Sequence, residues 1–387
     1  MSVITPPRGY NRESVQRRRE WLAEKKDFYF DNDLPQNPEN YRGIIENLVA
    51  EVNLPIAIAG PLLISGSYSS GEFYVPLCTL EGTLAMSMTR GLFLTSLSGG
   101  IQTQHVKQEL SRSPIFIFND IHTPQLFLKW VEQNFAKIKA IAESTTNYGK
   151  LLRIDKYPIQ NRIILDFVYN TAEAAGQNMV TIATEKAVHF IFGELRDNLL
   201  KDAGYCIECN FNGDKNSTYR SMLHGRGHSV IASFRVPDKL LRRILRLGVR
   251  EFVERTVEMR LGSELAGVLG LNMHAANALA AIYLATGQDV ACVAENAVGI
   301  VTYESLENDE FLYGTLSMPS ITVGTVGGGT RLPQQAKNLQ LLECQGENSS
   351  KKFAEIVCAA TLALEVSLAG AIGSHEFARS HATYGRR

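Results

Sequence analysis

The chain has no excess charge of either sign. Its 39 Lys and Arg stand against 40 Asp and Glu among 387 residues, and the basic residues gather into no stripe with interleaved aromatics. Without such a field, nucleic acid is not an expected partner. Long apolar runs are missing too: MSVITPPRGYNRESVQRRREWLAEKK has no apolar stretch of the signal-peptide kind, and no later segment runs about 18 residues without a polar interruption. A cytoplasmic protein with no membrane partner is therefore expected. Cysteine is sparse, and of the residues at 78, 206, 209, 292, 344 and 358 only Cys206-Ile-Glu-Cys209 has a CxxC spacing. A structural zinc would need a second pair or two well-placed His, and a redox pair would open a helix after a strand, so coincidence is the better reading. His375 and His381 lie six apart rather than the four that sets two ligands on one helix face, and no metal is expected.

Common phosphate fingerprints are also absent. There is no GxGxxG after a strand and no GxxxxGK[ST], which argues against a Rossmann domain, and no nucleophile elbow accompanies Ser374 or Ser380.

What is present is an ordinary globular composition, 45% hydrophobic and 20% charged, enough for a large core in two or three lobes. Residues 10–48 read as a polar helical cap, with the basic run Arg17 to Arg19 as a solvated face. From Leu54, short apolar runs cut by Pro and Gly predict strands joined by turns, and the chain enters a helix near Glu81. Between Pro114 and Cys206 the order strand, helix (124–144), strand, strand, helix (178–200) predicts a compact α+β insert. A strand at SVIASFRV, helices over 238–261 and 273–285, strands within 299–317, a Gly-rich turn and a helix over 350–370 follow. The mixture is α+β, with 1–49 as an N-terminal helical segment, 50–113 with 207–387 as the large domain and 114–206 as the small inserted one. Gly324-Thr-Val-Gly-Gly-Gly-Thr330 carries four glycines, which suit either a tight turn or close backbone approach to a ligand in equal measure.

Five separated segments, in order and spacing, together resemble the 3-hydroxy-3-methylglutaryl-CoA (HMG-CoA) reductase family: Leu54-Pro-Ile-Ala-Ile-Ala-Gly-Pro61, Thr79-Leu-Glu-Gly82, Asp214-Lys215 through Gly225-Arg-Gly227, Asn272-Met-His-Ala-Ala-Asn277 with Gly287-Gln-Asp289, and Met318 to Thr330. The resemblance runs from about residue 40 onward and implies a large α/β substrate domain with a small ferredoxin-like cofactor domain inserted. It implies reduction of a thioester to an alcohol by two hydride transfers from NADPH, with NADH as the other option, and coenzyme A as part of the substrate. Each transfer builds negative charge on oxygen, so a cation must sit beside the carbonyl and acids must meet the alkoxide and the thiolate.

By resemblance Lys215 is that cation, Glu81 the proton donor, Asp289 the partner that tunes both and His381 the acid for the thiolate, with His375 as its competitor. Glu173, Gly176, Asn178 and Met179 before and in a helix, with Gly327, Gly328 and Thr330, are the implied cofactor contacts, a helix N-terminus suiting a pyrophosphate. Arg112, Asn277, Ser87 and Arg90 are implied on the substrate side, with Arg246 as a further basic position. The pattern breaks at the acyl end: Asn216 stands where the family has a second Lys and Glu208 where it has a Ser, and Phe93 replaces an expected Arg; Arg260 lies near a further family lysine, and Gln133-Asn134 replaces a Ser-Arg pair that reads the NADPH phosphate. HMG-CoA reduction to mevalonate, for isoprenoids, therefore stands beside reduction of another acyl thioester, carried on CoA or on a carrier protein; a silent scaffolding member is disfavoured by the retained Glu81, Lys215 and Asp289. The family's active site lies between two chains near Glu46-Asn47, which implies at least a homodimer.

Overall fold

A computed structural model of the chain describes residues 5–201 and 203–376; His381 lies outside them. Helix α1 (Arg12–Lys26) starts where Asn11 Oδ1 accepts the Ser14 amide at 2.9 Å and stops at Asp27, whose backbone turns left-handed. The helix expected over 10–48 extends no further, and only a 3-10 turn at Pro38–Tyr41 interrupts an irregular strap. Arg17 of the basic run is exposed, but Arg18 and Arg19 clasp that strap rather than face solvent. Arg18 is 1% exposed and donates to the backbone oxygens of Leu48, Pro7 and Gly9, while Arg19 donates to Val49 O. Irregular backbone leaves carbonyls unpaired, and the guanidinium forks satisfy them.

Strands β1 (Ile56–Gly66) and β2 (Ser70–Cys78) form an antiparallel hairpin, followed by α2 (Leu84–Ser96). Nothing in the apolar pattern marks β3 (Ile101–Arg112), whose buried positions include Gln108, Ser111 and Arg112 where aliphatics would be usual. This strand belongs to two sheets. Residues from Gln102 to Glu109 pair with β8 (Arg226–Pro237) in the large sheet, and Leu110 to Arg112 pair with β6 (Arg162–Asn170) in the smaller one.

The smaller sheet is completed by β4 (Ile115–Ile117), β5 (Lys150–Ile159) and β7 (Gly204–Cys206), backed by α3 (Thr123–Gln133), α4 (Phe135–Glu143) and α5 (Gln177–Leu195). The single helix expected over 124–144 is two, because Asn134 leaves helical geometry and turns its amide onto Trp130 O at 2.9 Å. After β7 come α6 (Tyr219–His224), β8, α7 (Asp238–Leu245), α8 (Val249–Leu265), α9 (Ala275–Thr286), α10 (Val293–Asn296), β9 (Ile300–Leu306), β10 (Phe311–Ile321), α11 (Pro333–Leu341) and α12 (Ser349–Gly373). The helix expected over 238–261 breaks at Arg246, left-handed at φ 61°, and Asp238 Oδ1 reaches across the break to accept the Val249 amide at 2.9 Å.

The large sheet runs β2-β1-β3-β8-β10-β9. At the centre of its core lies α12, long and apolar enough to cross a membrane, yet covered along nearly its whole length by α2, α9, α8, β3, β8 and β10. Its two buried carboxylates terminate other elements. Glu355 accepts the amides of Ser67, Tyr68 and Ser69 in the β1–β2 turn, and Glu365 accepts those of Met273 and His274 at the start of α9. Burial raises the Glu365 carboxyl above its usual range, and the amides that it accepts oppose that shift. The apolar residues of β4 to β7 and α3 to α5 make a second, separate cluster.

Candidate functional site

A cleft of about 840 Å³ opens between α5, the end of α9, the loop after β7 and the Gly-rich turn. Its charged corner is built by the chain around Asp214 and Lys215. Lys215 holds a left-handed backbone, φ 58°, because its amide is gripped by Glu295 Oε2 at 2.6 Å. Glu295, fully buried on α10, also accepts Arg226 Nε at 3.1 Å and the Thr322 hydroxyl at 2.6 Å. Arg226 in turn spans to Asp214 at 3.1 Å, to Gln177 Oε1 at 2.6 Å and to Ser111 O. Burial pushes the Glu295 carboxyl up, and Arg226 pulls it back.

On this mount the Lys215 ammonium meets Asp289 Oδ2 at 2.8 Å, with both side chains nearly half exposed to the cleft. The hydrogen bond to Asp289 raises the lysine above its ordinary value, so the ammonium stays charged across the neutral range. Asp289 is fixed from below: α9 ends at Gly287, left-handed at φ 73°, and the other Asp289 oxygen accepts the Ala291 amide at 3.0 Å.

The long side of the cleft is the N-terminus of α5. Gly176 caps it at φ 85° with no side chain bonded to the first-turn amides, and Asn178 and Met179 line the opening. The Gly-rich turn faces it. Gly324 packs against Ala175, where a Cβ would fall 2.3 Å from the Ala175 amide, while Gly327 and Gly328 have positive φ and open space where a Cβ would stand. Thr330 closes the turn with its hydroxyl on Gly327 O at 2.6 Å. Glu173 does something else with its carboxylate: it accepts the Asn348 and Ser350 amides and caps α12.

The acyl-side residues fall into two groups. Arg112, 7% exposed at the end of β3, lines the cleft and is paired with Glu208 Oε2 at 2.6 Å and Asp214 at 3.5 Å. Asn216 is exposed, and its side-chain amide donates to the Asp214 carbonyl at 2.8 Å. Glu81 lies elsewhere, exposed in the loop before α2, and accepts Asn277 Nδ2 at 3.1 Å. Asn277 is near the start of α9 and Asp289 is beyond its end, so about 14 Å of helix separates the Glu81 end from the Lys215 end. Ser87 and Arg90 sit on the Glu81 side, both bonded to Ser367 of α12. His375, just past α12, is exposed. Arg246 pairs with Glu376 at 2.5 Å, and Arg260 pairs with Glu264 at 2.8 Å on α8.

Among the described residues no group of His, Cys, Asp and Glu is arranged to hold a metal. Cys206 and Cys209 are free thiols, and Cys209 donates to Ser113 O at 3.1 Å. Sequence reasoning missed Arg226 and Glu295, buried beneath the site, and Gln177 and Gln288, which line the cleft, Gln288 Oε1 accepting the Gly324 amide at 2.9 Å. Gly225-Arg-Gly227 was the available signal: a buried Arg between glycines implies buried anions to receive it.

Likeness to known proteins extends over most of the chain. The profile of the hydroxymethylglutaryl-coenzyme A reductase family matches residues 14–386. Proteins named 3-hydroxy-3-methylglutaryl-coenzyme A reductase from Methanocaldococcus jannaschii and Pyrococcus horikoshii are each 38% identical, covering 88% of this chain and 84% and 83% of theirs. Among solved structures, a class II 3-hydroxy-3-methylglutaryl-CoA reductase from Streptococcus pneumoniae bound to NADPH in open conformations superposes with a TM-score of 0.70 at 18% identity, over 91% of this chain and 92% of that one.

Proposed function

This chain belongs to the hydroxymethylglutaryl-coenzyme A reductase family, and on that basis we propose that it reduces the thioester of HMG-CoA to the alcohol, mevalonate, releasing coenzyme A. The observation that carries this reading is the Lys215–Asp289 pair, a cation held charged at the mouth of a cleft whose opposite wall is an uncapped helix N-terminus. A nicotinamide dinucleotide, NADPH first, fits that wall: first-turn amides of α5 and the side-chain-free positions 327 and 328 suit a pyrophosphate. Bound there one after the other, two such molecules would each supply one hydride. We take the residues of the second core, 114–206, as the cofactor unit and 50–113 with 207–387 as the substrate unit.

Lys215 stabilises the oxyanion that each hydride addition builds on the carbonyl oxygen, and Asp289 keeps its ammonium aimed there. Glu81 is the proton donor, but it stands at the other end of α9 from Lys215 within one chain. Two copies therefore complete each site, one giving Lys215 and Asp289 and its partner Glu81 and Asn277. Leu80 and Met86, exposed close to Glu81 in the chain, and Phe93, exposed further along α2, are the apolar surface that such a partner would cover.

The test is NADPH oxidation by the purified chain with HMG-CoA, with mevalonate identified as product and Lys215→Ala as the control. Turnover lost in that folded variant supports the assignment; near-normal turnover refutes it. A second reading, the same chemistry on another acyl thioester, is favoured by Glu208 at Arg112, where a substrate carboxylate would be held.

A further inference from the structure

Arg112 ends β3 at the point where the strand has passed into the smaller sheet, and its guanidinium faces the same cleft as Lys215 and Asp289. It is the buried cation placed to receive the far end of an acyl chain whose carbonyl lies at Lys215. That cation is already engaged. Its Nη1 donates to Glu208 Oε2 at 2.6 Å and lies 3.5 Å from Asp214, while its Nε is buried with no hydrogen-bond partner.

Glu208 is not a loose surface group that happens to swing in. The loop after β7 is folded around it: Asn212, fully buried, donates to its Oε2 at 2.7 Å and to Ser111 O at 3.3 Å, and the Asn210 amide donates to its Oε1 at 2.6 Å. Two donors, one on each carboxylate oxygen, thus hold Glu208 against Arg112. Asp214 is the weaker partner: its Oδ2 stands 3.5 Å from Arg112 Nη1, while Arg226 and Gln177 hold its Oδ1 from the other side. An acid-ended acyl chain would bring another carboxylate to a guanidinium that is already matched, against the repulsion of Glu208.

We propose that Glu208 is a resident carboxylate that the acid end of a substrate must displace from Arg112, and that it tilts the pocket toward acyl thioesters whose far end is uncharged. The proposal rests on the thioester-reductase reading above and adds the residue that sets acyl selectivity. Glu208 acts at ground-state binding and has no part in hydride or proton transfer, so its effect falls on KM and Kd for acid-ended substrates.

The experiment compares two thioesters that differ only at that end, HMG-CoA and 3-hydroxy-3-methylbutyryl-CoA, in the wild type, Glu208→Gln and Glu208→Ser, with a thermal melt for each variant. A regained charge-assisted hydrogen bond corresponds to about ten- to a hundredfold in affinity, so both variants are expected to shift the kcat/KM ratio toward HMG-CoA by that factor, carried by KM. Calorimetric Kd values for the two thioesters without NADPH are expected to shift in the same sense. An unchanged ratio, or one that moves toward the uncharged thioester, overturns the proposal. Should no folded form turn over either thioester with NADPH, the reductase reading fails, while the Kd ratios still decide the role of Glu208. Glu208→Ser, which leaves Arg112 only the longer contact to Asp214, serves if Glu208→Gln does not fold.

Discussion

Removing Glu295 tests whether the backbone of Lys215 is held by the buried network beneath it. In Glu295→Ala the Lys215 amide and the Thr322 hydroxyl lose an acceptor, and Arg226, 1% exposed, loses the partner of its Nε. Breaking a buried pair by removing one member costs about 3 to 5 kcal/mol; Asp214, Gln177 and Ser111 O still hold the other guanidinium nitrogens, which places this site near 3. Glu295→Gln keeps the shape and one acceptor. Its oxygen can serve Lys215 and Arg226 while its amide turns to Thr322, so only the charge is lost, about 1.5 kcal/mol. The left-handed backbone of Lys215 itself costs about 1 to 3 kcal/mol and persists only while its amide is held, so Glu295→Ala lets the loop relax and displaces the ammonium. A loss of about 1.4 kcal/mol in transition-state stabilisation lowers kcat tenfold. Urea unfolding followed by circular dichroism, with NADPH oxidation on the same samples, gives both quantities. Glu295→Ala within 1 kcal/mol of the wild type and within about twofold in kcat would refute the reasoning.

In Asp289→Asn the lysine loses the hydrogen bond that raises its pKa, so the alkaline limb of the kcat/KM profile moves to lower pH; an unmoved limb would mean that another group sets it. His228, fully buried against His105, is pushed by burial down to about 3 and stays neutral. The unfolded chain binds this proton more readily. Stability from this group is therefore full above the ordinary value of 6.5 and is lost as pH falls from there toward 3. His228→Gln should flatten that part of the acid-unfolding curve, and a curve of unchanged steepness would count against the assignment. Mixing Glu81→Gln with Lys215→Ala in refolded heterodimers should restore turnover that neither variant has alone, since one of the two sites then holds both wild-type groups. No recovery, with hybrids demonstrated by mass, would place both residues in one chain's site.

Strands and helices with apolar periodicity were legible in sequence, but β3 was not, because Gln108, Ser111 and Arg112 occupy buried positions that aliphatics would signal. Buried polar residues there serve the cleft and the joint between the sheets, a demand that tertiary context alone makes. Helix breaks at Asn134 and Arg246 escaped for a related reason: each depends on a side chain, Asn134 itself or Asp238, finding a specific backbone partner. Of the site, Lys215 and Asp289 were legible through their motifs, and the structure brings them together at 2.8 Å. The engagement of Arg112 by Glu208 was not, since only the fold brings a loop residue after β7 against the end of β3.

The central place of α12 has a consequence for how the chain is made. Its partners α2, α9, β3 and β8 all precede it in the sequence, so a chain leaving the ribosome N-terminus first offers their apolar faces before residues 349–373 exist to fill them. The smaller core, whose residues run from 110 to 200, is complete by then and can close during synthesis. The large core cannot. Until α12 emerges with Glu355 and Glu365, the β1–β2 turn and the start of α9 also lack their acceptors, and the nascent protein is a finished small unit tethered to an open, aggregation-prone large one.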